Sequence, residues 1–149
     1  MAAIAESIEI ARRPEEVFWY VTDFSRFPEW QGGVVSARPE GVAPIAVGSR
    51  AVVTRRAGPR ALARTEEVTE LDPPRTWAVR GVGDGPVVAI AKGRIEPLDH
   101  GQRSRVTIVL QFEARGIGRL VVPLIIRRQA RRQLPRNKRK LKEVLERGA

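Results

Sequence analysis

Apolar and polar residues change period three times along the chain, and each change marks a new kind of element. Ile4, Ile8 and Ile10 fall at even spacing in "IAESIEIA", which predicts a strand with one apolar face. In "RRPEEVFWYVTDF" the period becomes helical, with Val17, Tyr20, Val21 and Phe24 at i, i+3, i+4 and i+7. Pro14 suits the first helical turn, and Glu15 and Glu16 favour the positive end of the helix dipole. Asp23 and Ser25 can cap a second short helix that takes in Pro28. Gly32 and Gly33 then release the chain into an extended run from Val34.

The middle of the chain reads as a meander. "AGPR", "DPPR", "GVGDGP" and "PLDHGQ" are rich in turn formers and cut it into strand-length pieces. The last piece has the clearest alternation: Val106, Ile108, Leu110 and Phe112 interleave with Arg105, Thr107, Gln111 and Glu113. Short turns between successive strands favour antiparallel pairing. After Gly116 and Gly118 the period is helical to the end. Ile126, Ala130, Leu134, Leu141 and Leu145 form the stripe, and Pro123 and Pro135 should each start or kink a helical piece. The expected order is a strand, two short helices, about six more strands and one long helix. No repeat or second domain is visible, so residues 1–149 read as a single domain.

Charge sharpens this picture at one place. From Arg115 onward there are twelve basic residues against Glu143 and Glu146, while the rest of the chain balances fifteen basic with fifteen acidic residues. All of the net +10 therefore falls on the last quarter, around the final helix. Such a face suits an anionic membrane surface or a solvated helix. The lack of interleaved aromatics between Arg127 and Lys142 argues against nucleic acid. Without cysteine the chain has no disulfide, thiolate metal site or cysteine nucleophile. The opening residues do not read as a signal peptide and no stretch has the length of a membrane span, so a cytoplasmic location is expected. Nothing in the pattern specifies an oligomeric state.

Catalytic constellations are thin. His100, the single histidine, falls in "PLDHGQ" and reads as a solvated hairpin tip. No His/Asp/Glu spacing suggests a metal site, and no cofactor is implied. "GVGDGP" lies between strands and lacks the Lys-Ser/Thr of a phosphate loop, so it reads as a turn. The serines stand in no nucleophile-elbow context. Arg64, Glu66, Arg80, Lys92 and Arg94 are the charged strand residues that could face a cavity. On strict alternation Arg64 and Glu66 share a face with Val68, and Lys92 and Arg94 share one with Val88 and Ile90. Sequence alone leaves open which face looks inward.

Four stretches carry a family resemblance. "IEIARRPEEVFWYVTDFSRFPEW", "EVTELDPPRTWAV", "GRIEPLDHGQRSRVTIVLQFEARG" and "NKRKLKEVLERG" resemble, in this order, segments of the START-like (SRPBCC) superfamily, in its polyketide cyclase/dehydrase and lipid-transport branch. The resemblance implies an α+β helix-grip fold: a curved antiparallel sheet wrapped around a long C-terminal helix, with an apolar cavity between them. It implies a hydrophobic small-molecule partner, a lipid or polyketide-like metabolite, with cyclase or dehydratase action on a poly-ketone chain as the alternative. It places Trp30 near the cavity mouth, where a core plug is the competing reading. Trp77, Val79, Ile90, Ile108, Leu110 and Phe112 from the strands, with Leu120, Leu124 and Arg128 from the final helix, would line the wall. For each of these, ordinary core is the alternative, because core and cavity wall share composition.

Overall fold

The computed structural model describes residues 3–42, 44–83, 87–114 and 122–148. Strand β1 (Ile4–Ile10) leads into α1 (Pro14–Val21), a 3-10 turn and α2 (Phe27–Trp30). Six strands follow: β2 (Val34–Pro39), β3 (Arg50–Ala57), β4 (Arg60–Asp72), β5 (Thr76–Gly81), β6 (Val87–Leu98) and β7 (Arg103–Ala114). Helix α3 (Val122–Arg147) ends the chain. The strands form one seven-stranded sheet in the order β1-β7-β6-β5-β4-β3-β2, every pairing antiparallel. The first strand, β1, extends the meander at its far side by pairing with β7, matching Ile4 with Leu110 and Ile10 with Ser104.

The predicted breaks fall at the turns. Gly58, with φ of 62°, and Pro59 separate β3 from β4, and the Pro73–Pro74 pair separates β4 from β5. His100 sits at the tip of the β6–β7 hairpin, exposed and in the left-handed region with φ of 54°. Asp23 caps the 3-10 turn as expected, its carboxylate accepting from the Ser25 amide at 3.0 Å. The α1 stripe differs in one respect. Phe18 is fully buried, with Val17 and Val21, while Tyr20 is only half-buried. Phe18 meets Trp77 edge to face with ring centroids 6.1 Å apart, and that tertiary contact turns α1 toward the sheet.

Helix α3 behaves as a clamp on one sheet edge. Ala130, Leu134 and Leu141 are buried, with Leu134 and Leu141 joining the core cluster and Leu145 packing against it. Pro135 starts no new helix: one helix runs from Val122 through it to Arg147. An interior proline forfeits a backbone hydrogen bond at about 3 kcal/mol. The burial of Leu134 and Leu141 on either side offsets this. Beside the stripe, α3 meets the free edge of β1. The Lys138 ammonium donates to the Ser7 carbonyl at 3.1 Å, and Lys142 donates to the Glu9 carbonyl at 2.7 Å. The Ala11 amide donates to the Glu146 carboxylate at 2.8 Å. Edge groups that would otherwise invite pairing with another chain are thereby satisfied. The amide of Ala11, aided by Lys142, holds the Glu146 carboxyl below its ordinary value against the opposing effect of burial.

Candidate functional site

Cross-strand partners share a face of a sheet, so the register settles which residues look inward. One row joins Trp77, Gly93 and Ile108, and the next joins Val68, Val79, Ala91 and Leu110. Val106 and Ile95 continue the same face toward the other end of β7. Trp77, Val79, Val68, Val106, Ile95 and Ile108 all belong to the core beneath the helices. The indole of Trp77 lies flat on Gly93, so close that a Cβ there would sit 2.1 Å from the ring. Only glycine at position 93 admits this packing.

The expected wall residues divide accordingly. Trp30, Trp77, Val79 and Ile108 are brought together, in the packed core, and Leu110 packs partly against it. Phe112 stands half-buried at the end of the inner face, opposite the exposed Ala89. Ile90 does not join them. It pairs with Arg80 and Gln111, one residue out of phase with Val79 and Leu110, and therefore lies on the outer face. Simple apolarity misplaced it, because the outer face also carries apolar residues. Arg128 is exposed on α3. Leu120 lies outside the described residues, and of Leu124 only the helical backbone is described.

The charged strand residues divide as well. Arg80, Lys92 and Arg94 are on the outer face, where Arg80 pairs with Glu113 at 3.0 Å and Arg94 with Glu96 at 3.8 Å. Arg64 and Glu66 are on the inner face, opposite the buried Val53 and Ala51. The Glu66 side chain is only 13% exposed and is ion-paired with Arg55. Arg55, also inward by register, donates its other terminal nitrogen to the Gln31 side-chain oxygen at 3.0 Å. Sequence reasoning missed Arg55 and Gln31. Alternation along β3 from Ala51 through Val53 to Arg55 held the signal for the arginine, once those alanine and valine positions are known to be core. Nothing local marked Gln31.

The inner face thus changes character along its length. Near β1 and the helices it is apolar and packed. Toward the outer half of the β3–β4 hairpin it carries Arg55, Glu66 and Arg64, with the exposed Leu62 opposite Arg55. One further polar atom is unusual. Trp30 is 6% exposed, and its indole Nε1 is buried without a hydrogen-bond partner among the described residues. An unpaired buried donor costs about 1–3 kcal/mol, a deficit that a ligand oxygen would remove.

Gly32 and Gly33, next in the chain, let it turn sharply against α3. The Gly32 amide donates to the Asn137 side chain at 2.9 Å, and Gly33 adopts φ of 86°. In the same elbow the Tyr20 hydroxyl donates to Glu29 at 3.1 Å. Burial first, then that bond and the Glu29 charge, push the phenol well above its usual range, so it does not titrate near neutrality. A recess of about 260 Å³ opens elsewhere, between the end of α1 and the β2–β3 connection, with Trp19, Phe24, Ile45 and Arg50 in its lining. None of the expected wall residues lines it. Of its charged groups, Asp23 and Arg50 are tied to Arg26 and Glu67, while Glu40 forms no ion pair among the described residues. No group of residues suited to hold a metal ion occurs among the described residues.

An open antiparallel sheet gripping a long C-terminal helix defines the helix-grip class, and solved structures share it across the whole chain. A START superfamily protein from Mycobacterium smegmatis superposes with a TM-score of 0.81 at 14% identity, covering 99% of both chains. A Thermus thermophilus protein, TTHA0849, gives 0.78 at 16% identity, with 99% of both chains covered. The Zhui aromatase/cyclase from Streptomyces sp. R1128 gives 0.73 at 17% identity, covering 97% of this chain and 91% of that one. The chain belongs to the family described as polyketide cyclase / dehydrase and lipid transport, whose model matches residues 1–146. No curated protein matches the sequence.

Proposed function

We propose that the protein binds a hydrophobic small molecule bearing oxygen acceptors, a lipid or polyketide-like metabolite, on the inner face of the sheet. The observation that carries this reading is the meeting of apolar and polar character there. Phe112, Ala89 and Leu62 offer apolar surface at the open part of the face, and the Arg55–Glu66 pair with Gln31 supplies a confined polar anchor. Largely apolar sites with a few convergent polar groups are the usual form of small-molecule pockets. The unpartnered Trp30 Nε1 provides a further donor. The family description, which names both cyclases and lipid transport, supports the substrate class.

Native mass spectrometry of the purified protein, followed by solvent extraction, tests the proposal directly. A co-purifying hydrophobic molecule is expected. Arg55→Gln should weaken its retention about tenfold, the effect of losing one charge-assisted hydrogen bond. A protein that carries no extractable molecule and binds no fatty-acid or aromatic poly-ketone probe would overturn the reading.

The inward Arg55 and Glu66 favour one second reading: cyclisation or dehydration of a bound poly-ketone. Arg55 would polarise a ketone oxygen and Glu66 would accept an α-proton, as general acid–base chemistry requires. Glu66→Gln should then abolish turnover of a poly-ketone substrate that the variant still binds through Arg55 and Gln31, with at most a modest loss of affinity. Unchanged turnover in that variant removes the enzymatic reading and leaves binding alone.

A further inference from the structure

Unpaired arginines are scattered through the sheet and clustered on α3. Outside α3, Arg26, Arg50, Arg55, Arg75, Arg80, Arg94, Arg103 and Arg105 each lie within 4.0 Å of a carboxylate. Arg12, Arg13, Arg38, Arg56, Arg60 and Arg64, spread over β1–α1, β2, β3 and β4, form no ion pair among the described residues. On α3 the basic groups divide by side. Lys138 and Lys142 turn to the β1 edge, where they meet Glu6 and Glu146 as well as backbone carbonyls. Arg128, Arg132, Arg136 and Arg139 are exposed and form no ion pair among the described residues. Their spacing of four, four and three puts them on one face, opposite the buried Ala130, Leu134 and Leu141. Arg131 and Lys140, also exposed, flank that face. No acidic residue occurs between Glu113 and Glu143.

We propose that this arginine face docks the protein on an anionic lipid bilayer. From Arg128 to Arg139 the helix rises about 16 Å, a ridge that presents its four arginines to one flat charged surface. The ridge is free because α3 is anchored by its other side, so binding requires no unfolding. Arginine is suited to lipid phosphate through its planar pair of donors. From Arg128 to the end there is no aromatic residue to stack on bases, which favours the bilayer over single-stranded nucleic acid. Electrostatic docking of this kind is salt-sensitive, since exposed charges are screened within about 8–10 Å at physiological ionic strength.

Co-sedimentation of the full chain with vesicles decides the matter. Binding is expected to phosphatidylcholine vesicles containing one-third phosphatidylglycerol, with none to phosphatidylcholine alone. High salt should release the bound protein. The quadruple variant Arg128→Gln, Arg132→Gln, Arg136→Gln and Arg139→Gln should lose roughly fivefold per arginine, so several hundred-fold in partitioning. Arg75→Gln with Arg94→Gln, remote and paired, should change it less than twofold. Thermal melting of the quadruple variant should match the parent, and if it does not, the salt series of the parent protein decides. Absence of binding at low salt, salt-insensitive binding, or full binding by a folded quadruple variant would overturn the proposal. Tighter binding to duplex DNA at equal phosphate and salt would overturn it in favour of nucleic acid.

Discussion

The two wings of the sheet follow the same alternation and use it differently. In the β1–β7–β6 wing the inward positions Ile10, Val106, Ile95 and Ile108 are buried beneath helices. Toward the free end of the β3–β4 hairpin, the inward positions include Arg55, Leu62, Arg64 and Glu66, and Arg60–Arg64 is exposed on both faces. What separates the wings is cover. Where α1 and α3 lie across the sheet, an unpaired inward charge would suffer desolvation, and the face is apolar. Toward the hairpin end the described helices give less cover, and inward charge is tolerated where it is paired, as Arg55 is with Glu66 and Gln31.

The largest expected effect lies in the covered wing. Leu141→Ala removes a fully buried side chain at the helix–sheet contact and should cost about 2–5 kcal/mol in urea unfolding. Leu62→Ala in the open wing, where the leucine is 48% exposed, should stay within about 0.5 kcal/mol. Similar costs for the two would erase the contrast.

Two glycines sharpen it at intermediate scale. Gly93→Ala drives a Cβ into the Trp77 ring, which is held by Phe18 and the core, and should cost about 1–3 kcal/mol. Gly32→Ala meets only the end of the Gln133 side chain, which can swing away, so a cost below about 1 kcal/mol is expected. Thermal melting of the two variants side by side checks the order.

The smallest effect is the pH response of the α3 clamp. The Glu146 carboxyl is held below its ordinary value of 4.5, chiefly by the Ala11 amide. A depressed folded-state value means that this contribution is complete above about 4.5 and fades as pH falls toward the folded value. Glu146→Gln keeps an oxygen for the amide but cannot titrate. The urea midpoint of the parent should therefore fall more steeply below pH 4.5 than that of the variant, while the two stay close at neutrality. Parallel acid profiles would show that the clamp does not depend on this carboxylate.

The element order, the hairpin turns and the buried stripe of α3 were legible in the sequence, because each follows from local chemistry. Period-two alternation makes strands, Gly and Pro make turns, and Leu134 and Leu141 seven residues apart make one helix face. The family motifs carried the fold further, to the helix-grip. What local pattern leaves undetermined is phase: which side of a strand the helices will cover. Ile90 and Val79 look alike in sequence, and only pairing across β5, β6 and β7 puts them on opposite faces. Arg64 and Glu66 stand out in sequence as charged strand residues, but their inward direction required β3 and its buried Ala51 and Val53. The partnership of Arg55 with Glu66 and Gln31 joins residues 11 and 24 positions apart. Likewise Lys138 and Lys142 read as part of a uniform basic face until the β1 edge claimed them. Periodicity depends on neighbours along the chain and so survives in the sequence. Facing, burial of charge and edge protection depend on segments far apart in the chain, and are decided only when the sheet closes against its helices.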